Sequence, residues 1–232
     1  MEFDFRSGEI LLIDKPYGWT SFDAVKKVRN TISRITGIRK IKVGHAGTLD
    51  PLASGLLIIC TGKFTKKIDE FQNLEKEYSG TFHLGATRPS FDLETEIDFR
   101  YGYAHIDEDL LQQTAALFEG DQLQVPPAFS AINIKGTRAY HKARNKENFD
   151  LPHRKINIRR FEITRIDLPE VSFNVVCSKG TYIRALARDF GKAVNSGAYL
   201  SSLVRNRIGH FLLTDSVTLE ELEAKIKANV NP

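Results

Sequence analysis

The sequence predicts an α+β fold with a mixed, mainly antiparallel central sheet flanked by helices and loops. Three observations carry that expectation. Strand-like segments recur along the 232 residues, helical segments with a 3.6-residue apolar stripe separate some of them, and the order has no regular βαβ rhythm. The length suits one large domain, expected here to span residues 1–232.

The elements follow in order. Residues 9–14 form a short apolar strand that ends at the turn Lys15-Pro16-Tyr17-Gly18. Thr20 opens a helix, with Asp23 at capping-box spacing and Phe22, Val25, Val28, Ile32 and Ile35 as its inner stripe up to Gly37. A glycine-rich turn around Asp50 leads into a buried strand at residues 56–60, and residues 65–72 read as a short helix with Ile68 and Phe71 on one side. Tyr78, Gly80, Phe82 and Leu84 alternate with polar residues, as a half-buried strand does. An irregular acidic segment follows to about His105. Asp107 then starts a helix with Leu110, Leu111, Ala115 and Phe118 inward, stopped by Gly120.

Residues 126–153 read as a loop-rich basic segment. Ile156 and Ile158 alternate, as do Phe161 and Ile163, but the phase slips between the pairs, which predicts a β-bulge. Val171, Phe173 and Val175 continue as a strand through Cys177. After the Lys179-Gly180 turn, Thr181 is expected to cap a helix with Ile183, Leu186, Ala187, Phe190 and Val194 inward. Residues 208–213 are a last strand candidate, and Thr218 caps a final helix bearing Leu219, Leu222 and Ile226.

Composition narrows the function. No apolar run is long enough to cross a membrane, and the acidic start of the chain is unlike a secretion signal. Cys60 and Cys177 lie far apart in strand-like contexts and read as buried thiols of a cytoplasmic protein rather than a disulfide or a zinc site. There is no Walker loop, dinucleotide fingerprint or GxSxG elbow, so chemistry without a cofactor or metal is favoured. Charge is segregated. Residues 24–49 hold seven basic residues and no acid, residues 135–165 hold ten basic against three acidic, and residues 91–121 hold nine acids against one Arg. A basic face suits a polyanion such as RNA, although charge patches alone are equally compatible with a plain solvated surface.

The most informative stretch is Gly44-His45-Ala46-Gly47-Thr48-Leu49-Asp50-Pro51-Leu52-Ala53-Ser54-Gly55. It sets one carboxylate in a turn whose glycines let a ligand approach the backbone. On turn statistics alone, an Asp-Pro is more often an aspartate bonding its own backbone. Taken alone, Tyr78 reads more readily as core than as a stacking ring, and Arg184 slightly more readily as a surface ion pair than as an active-site cation.

In the company of the other motifs, that stretch resembles the nucleophile loop of the pseudouridine synthase B (TruB) family. Asp14-Lys15-Pro16-Tyr17-Gly18-Trp19-Thr20-Ser21 is similar to the family's DKPxGxTS signature, and Lys76-Glu77-Tyr78 to its KxY strand. Pro127, Ser130-Ala131, Gly136, Tyr140 and Ala143-Arg144 follow its PxxSAxKxxGxxxYxxAR pattern, and Cys177-Ser178-Lys179-Gly180-Thr181-Tyr182-Ile183-Arg184 follows its CSKGTYIR segment. With Gly197-Ala198 and Leu203, the likeness runs in order over residues 9–215.

The resemblance implies a pseudouridine synthase fold and isomerisation of the uridine at position 55 in the T-loop of tRNA, by a cytoplasmic monomer needing no cofactor. By position, Asp50 would be the catalytic aspartate and Arg184 the cation paired with it. Tyr182 would lie beside the base and accept its C5 proton. Tyr78 would stack on the uracil, Leu203 would pack on it, and His45 would fill the vacancy the flipped nucleotide leaves.

Departures from the family pattern fall elsewhere. The TxTxD after the KxY strand is here Arg88-Pro89-Ser90-Phe91-Asp92, Asn133 stands where Lys is common, Ala46 replaces Thr or Ser, and Val204 replaces Arg. With Pro232 as its last residue, the chain is expected to be the catalytic domain without the PUA-type RNA-binding domain that many members of the resembled family carry. Two rival readings stay open on the sequence alone. One is an RNA-binding module that keeps the scaffold without catalysis. The other is a glycoside hydrolase using Asp50, although no partner carboxylate is evident beside a matched motif.

Overall fold

The structure is a computed structural model that describes residues 3–130, 132–134, 136–145 and 147–230. Ala131 of the Ser130-Ala131 motif, Lys135 and Lys146 of the basic segment, and the two residues at each end, Pro232 among them, lie outside the described residues. The fold is α+β, with mixed, mainly antiparallel pairing and flanking helices. By contacts the chain divides into two compact units, residues 1–78 with 204–232, and residues 79–203.

In the first unit, β1 (Ile10–Lys15) leads into α1 (Ser21–Thr36). Thr20 and Asp23 form the expected capping box, and Gly37 closes the helix in the left-handed conformation at φ 71°. Val25, Val28 and Ile32 point inward as predicted, whereas Phe22 is 63% exposed. β2 (Val43–His45) and β1 both pair antiparallel with β3 (Ser54–Thr61), whose apolar run is buried on both faces. The expected helix over residues 65–72 is a 3₁₀ segment, Gly62–Lys67, followed by α2 (Ile68–Asn73).

The boundary between the units falls within β4 (Lys76–Leu84), which alternates as the pattern required. In the second unit the acidic segment is not wholly irregular, since β5 (Ala86–Thr87) and β6 (Phe99–Arg100) pair within it. Asp107 caps α3 (Glu108–Leu117) by accepting from the Leu110 amide. The helix ends at Leu117, three residues before the expected stop, and Gly120 instead starts β7 (Gly120–Gln124), a strand with too little apolar alternation to be seen in sequence. The basic segment holds a small ladder, β8 (Asn133–Ile134) with β9 (Thr137–Arg138), and α4 (Ala139–Arg144). β10 (Arg154–Asp167) pairs antiparallel with β7 and with β11 (Glu170–Cys177), and its register shifts between Ile158 and Arg160, where the phase slip predicted a bulge. In this unit β4, β11, β10 and β7 are neighbours in that order.

α5 (Ile183–Ala193) carries the predicted stripe, with Ile183, Leu186, Ala187 and Phe190 all buried. Phe190 meets Phe82 and Phe161 in an aromatic core, where Phe82 stacks on Phe173 at 4.2 Å between centroids. β12 (Ala198–Ile208) is the largest departure from expectation. The strand begins ten residues before the predicted one, because Ser201, Ser202, Asn206 and two arginines hide its period. Its end returns to the first unit, pairing parallel with β3 at Val204–Ser54 and Arg205–Gly55 and antiparallel with β13 (Phe211–Leu212). α6 (Leu219–Val230) follows, its start held by reciprocal bonds between Thr218 and Glu221, with Leu219, Leu222 and Ile226 buried beside α1. Both cysteines are buried, as expected.

Candidate active site

Asp50 lies half-buried in the loop between β2 and β3, and that loop is held from three sides within the first unit. Ser21, the first residue of α1, accepts from the Leu49 amide at 2.8 Å and donates to the Leu49 carbonyl at 3.1 Å. The Gly18 amide donates to the Pro51 carbonyl at 2.8 Å. Arg205 donates to the carbonyls of Leu56 at 2.7 Å, Gly47 at 3.2 Å and Thr48 at 3.3 Å. Its side chain is one of the largest fully buried in the protein, at 1% exposure. One guanidinium fork thus joins the backbone on both sides of Asp50, which a lysine's single ammonium could not do.

Gly55 makes the close approach of β12 possible. Its φ is +102°, and a Cβ there would sit 2.6 Å from the Arg205 carbonyl oxygen. Only glycine fits that conformation and that spacing.

Lys15, from the DKP motif, is fully buried, and its ammonium donates to the carbonyls of Trp19 at 2.6 Å and Pro16 at 3.0 Å. Burial lowers its pKa to about 8, and Arg205 pushes the same way, while the Asp50 carboxylate opposes both. His45 ends β2, and its buried Nδ1 has no hydrogen-bond partner among the described residues. Burial first, then the Arg205 charge, lowers the imidazole's pKa, so His45 is neutral near pH 7. Tyr78 is buried on β4, with Lys76 and Phe82 in the same phase of the strand.

The second unit holds Tyr182, Arg184 and Leu203. The sequence expectation that Thr181 caps α5 is corrected here: its hydroxyl donates back to the Ser178 carbonyl, and the N-cap is Tyr182. A buried side chain from β7, Gln124, instead fixes the residue that starts the helix. It accepts from the Tyr182 amide at 2.9 Å and donates to the Tyr182 carbonyl at 3.1 Å. The guanidinium of Arg154 lies 5.2 Å from the Tyr182 ring centroid.

Arg184 is buried rather than an exposed surface cation. It donates to the carbonyls of Phe129 at 3.0 Å and Ser90 at 3.3 Å, and its Nε lies 3.5 Å from the Asp92 carboxylate. Ser90 and Asp92 are the survivors of the divergent Arg88-Pro89-Ser90-Phe91-Asp92 stretch. Phe91 between them takes a left-handed φ of 62°, and Thr95 ties the turn by bonding Ser90 through its hydroxyl at 2.8 Å. Leu203 is buried on β12.

The expected residues therefore fall into two sets: Asp50, His45 and Tyr78 in one unit, and Tyr182, Arg184 and Leu203 in the other. Sequence reasoning passed over Arg205, Asp92 and Gln124. Their signals were an arginine amid strand residues, an acid in a turn and a polar residue at a strand end, none distinctive without the fold. Among the described residues, no group of three or more His, Cys, Asp or Glu side chains could hold a metal ion, and no helix is long and apolar enough to cross a membrane.

This α+β scaffold, with one carboxylate in a clamped glycine loop, is that of the pseudouridine synthases. Residues 33–183 match the model of the TruB family pseudouridylate synthase N-terminal domain, and the chain belongs to that family. It is 52% identical over 225 residues to the tRNA pseudouridine synthase B of Flavobacterium johnsoniae, covering 97% of this chain and 98% of the relative. It is 53% identical over 217 residues to that of Phocaeicola vulgatus, covering 94% and 92%.

Among solved structures, it is similar to a chain of an H/ACA RNP bound to a substrate RNA containing 2′-deoxyuridine, with a TM-score of 0.67 and 27% identity. A Cbf5-Nop10-Gar1 complex matches with a TM-score of 0.71 and 26% identity. The match covers 95% and 97% of this chain but spans only 53% and 60% of those two.

Proposed function

We propose that this chain isomerises uridine to pseudouridine at position 55 in the T-loop of tRNA, acting in the cytoplasm as a monomer whose residues 1–232 form a single catalytic domain. The reaction breaks the N1–C1′ glycosidic bond, turns the freed uracil and forms a C5–C1′ bond. The C5 proton leaves and N1 regains one, so no atom is added and no electron is transferred. Asp50 is the group that initiates it, by attack on the sugar or base or by removing the C2′ proton. Tyr182 takes the C5 proton, and Arg184 is the active-site cation.

The target base is stacked in the folded RNA, and extruding it costs a few kcal/mol. Tyr78 and Leu203 offset that cost by receiving the uracil. His45 fills the gap, and a neutral imidazole suits a place between stacked bases better than a charged one.

The observation that carries this reading is the framing of Asp50. A turn aspartate of no function needs no buried arginine joining both sides of its loop. The experiment is release of tritium from a T-arm stem-loop containing 5-tritiated uridine. The wild-type chain releases it, and Asp50→Asn lowers the rate by roughly 10⁴-fold or more. Turnover retained in Asp50→Asn overturns the mechanism, and a silent wild-type protein that still binds the RNA points to a binding module.

A further inference from the structure

Three large aromatic side chains stand out from the surface within one short segment of the first unit: Tyr17 at 59% exposure, Trp19 at 36% and Phe22 at 63%. Such exposure is unusual for rings that could pack inward, and it marks interaction surfaces. The segment is not loose. Lys15 fixes the Trp19 carbonyl at 2.6 Å, and the Gly18 amide binds the Pro51 carbonyl, one residue past Asp50. The aromatic rim is therefore tied by backbone bonds to the loop that bears the carboxylate.

Beside Trp19 lies an open groove of about 400 Å³, lined by Gly18, Trp19, Asp23, Lys26, Lys27 and Asn30. That volume lies within the ~300–1,000 Å³ usual for small-molecule sites. The last four residues are spaced by three or four along α1 and so form one stripe of that helix. Asp23 is turned toward the helix start, where one carboxylate oxygen accepts from both the amide and the hydroxyl of Thr20. Lys27 is held weakly, at 3.7 Å from Glu223, because that carboxylate is also engaged at 2.8 Å by Arg34 and by Lys227. The groove thus offers a ring at one end, two lysines in the middle and an amide beyond them, and the surrounding residues 24–49 are basic without an acid.

We infer that this groove is a second nucleotide subsite, which stacks the base next to the target uridine on Trp19 and holds its phosphate with Lys26 and Lys27. The inference rests on the functional reading above, since the neighbour of a uridine presented to Asp50 is covalently obliged to pass close to this loop. A ring with a flanking cation is the combination that binds single-stranded nucleotides without reading their sequence. A protein partner would be offered an apolar surface without need of two lysines beside it.

Trp19 is the single tryptophan of the chain, so its emission reports on this site alone. Titrating the wild-type protein with a T-arm stem-loop RNA is expected to quench that emission, saturating together with binding measured by filter retention. Trp19→Ala weakens binding about tenfold, Trp19→Phe restores most of it, and Lys26→Gln with Lys27→Gln lowers the slope of log affinity against log salt by about one. Unchanged emission while the RNA is bound and isomerised overturns this inference and leaves the functional reading standing. An RNA that neither binds nor reacts overturns both.

Discussion

Replacing Arg205 by Met tests whether one guanidinium organises the loop that carries Asp50. Methionine replaces the stem of the side chain about as far as Nε and stays apolar in a site that is 1% exposed. Three carbonyl acceptors lose their donor: Leu56 at 2.7 Å, Gly47 at 3.2 Å and Thr48 at 3.3 Å. The shortest is a well-formed bond to a charged donor, of about 1.5–3 kcal/mol, and the two longer ones contribute about 1 kcal/mol each. Against this, the variant no longer holds a guanidinium out of water, which returns part of the loss. The expected net destabilisation is about 3 kcal/mol, a large share of the ~5–15 kcal/mol that holds such domains folded.

Urea unfolding followed by circular dichroism reads it as a lower midpoint with an unchanged slope. Tritium release, measured well below that midpoint, should fall as well, because Asp50 has lost its frame. Arg205→Lys should lie between, since one ammonium cannot reach both sides of the loop. A midpoint shift worth less than about 1 kcal/mol, with turnover intact, would refute the argument that the clamp sets the position of Asp50.

Gly55→Ala places a methyl 2.6 Å from one backbone atom of Arg205 and 2.8 Å from another, at a φ of +102°. It should lower Tm by ~5 °C or more, and a melting curve that overlays the wild type would show that the β3–β12 approach is looser than drawn. Lys15 gives a pH signature. Its folded pKa of about 8 lies below its ordinary 10.5, so the folded state holds this charge at a cost of about 3 kcal/mol below pH 8. Between 8 and 10.5 the unfolded chain binds the proton and the folded chain does not, so this group's contribution to stability rises with pH and levels off above 10.5. Relative to Lys15→Met, the wild type should gain about 2 kcal/mol between pH 7 and 9.5. Parallel stability profiles for the two proteins would mean that Lys15 is solvated.

Much of this architecture was legible before any coordinates. The capping box at Thr20 and Asp23, the glycine end of α1 and the bulge in β10 are local events, written within a few residues by hydrogen-bonding groups and by phase. The strands that were missed have non-local causes. β12 carries serines and arginines because its polar side chains find partners far away in sequence, such as Arg205 on the loop after β2 and Arg207 on Glu75 and Glu77. No pattern within the strand itself announces them. The start of α5 differs from expectation for the same reason: Gln124, 58 residues away, holds Tyr182 at the helix start through its amide and its carbonyl.

The candidate residues divide along the same line. Asp50, Tyr182 and Arg184 could be picked out because short motifs surround them, but motifs name a residue without saying what keeps it in place. Arg184 illustrates the gap. A buried guanidinium must be neutralised and its donors satisfied, or it costs several kcal/mol. Here the Phe129 carbonyl supplies part of that, and so do Asp92 and the Ser90 carbonyl, from a turn that departs from the family pattern at Arg88 yet keeps the Ser90 hydroxyl and Asp92. Divergence at a motif is therefore best judged by what its remaining residues touch. Had Asp92 been lost along with its neighbours, the arginine beside it would have kept its charge and lost a buried carboxylate.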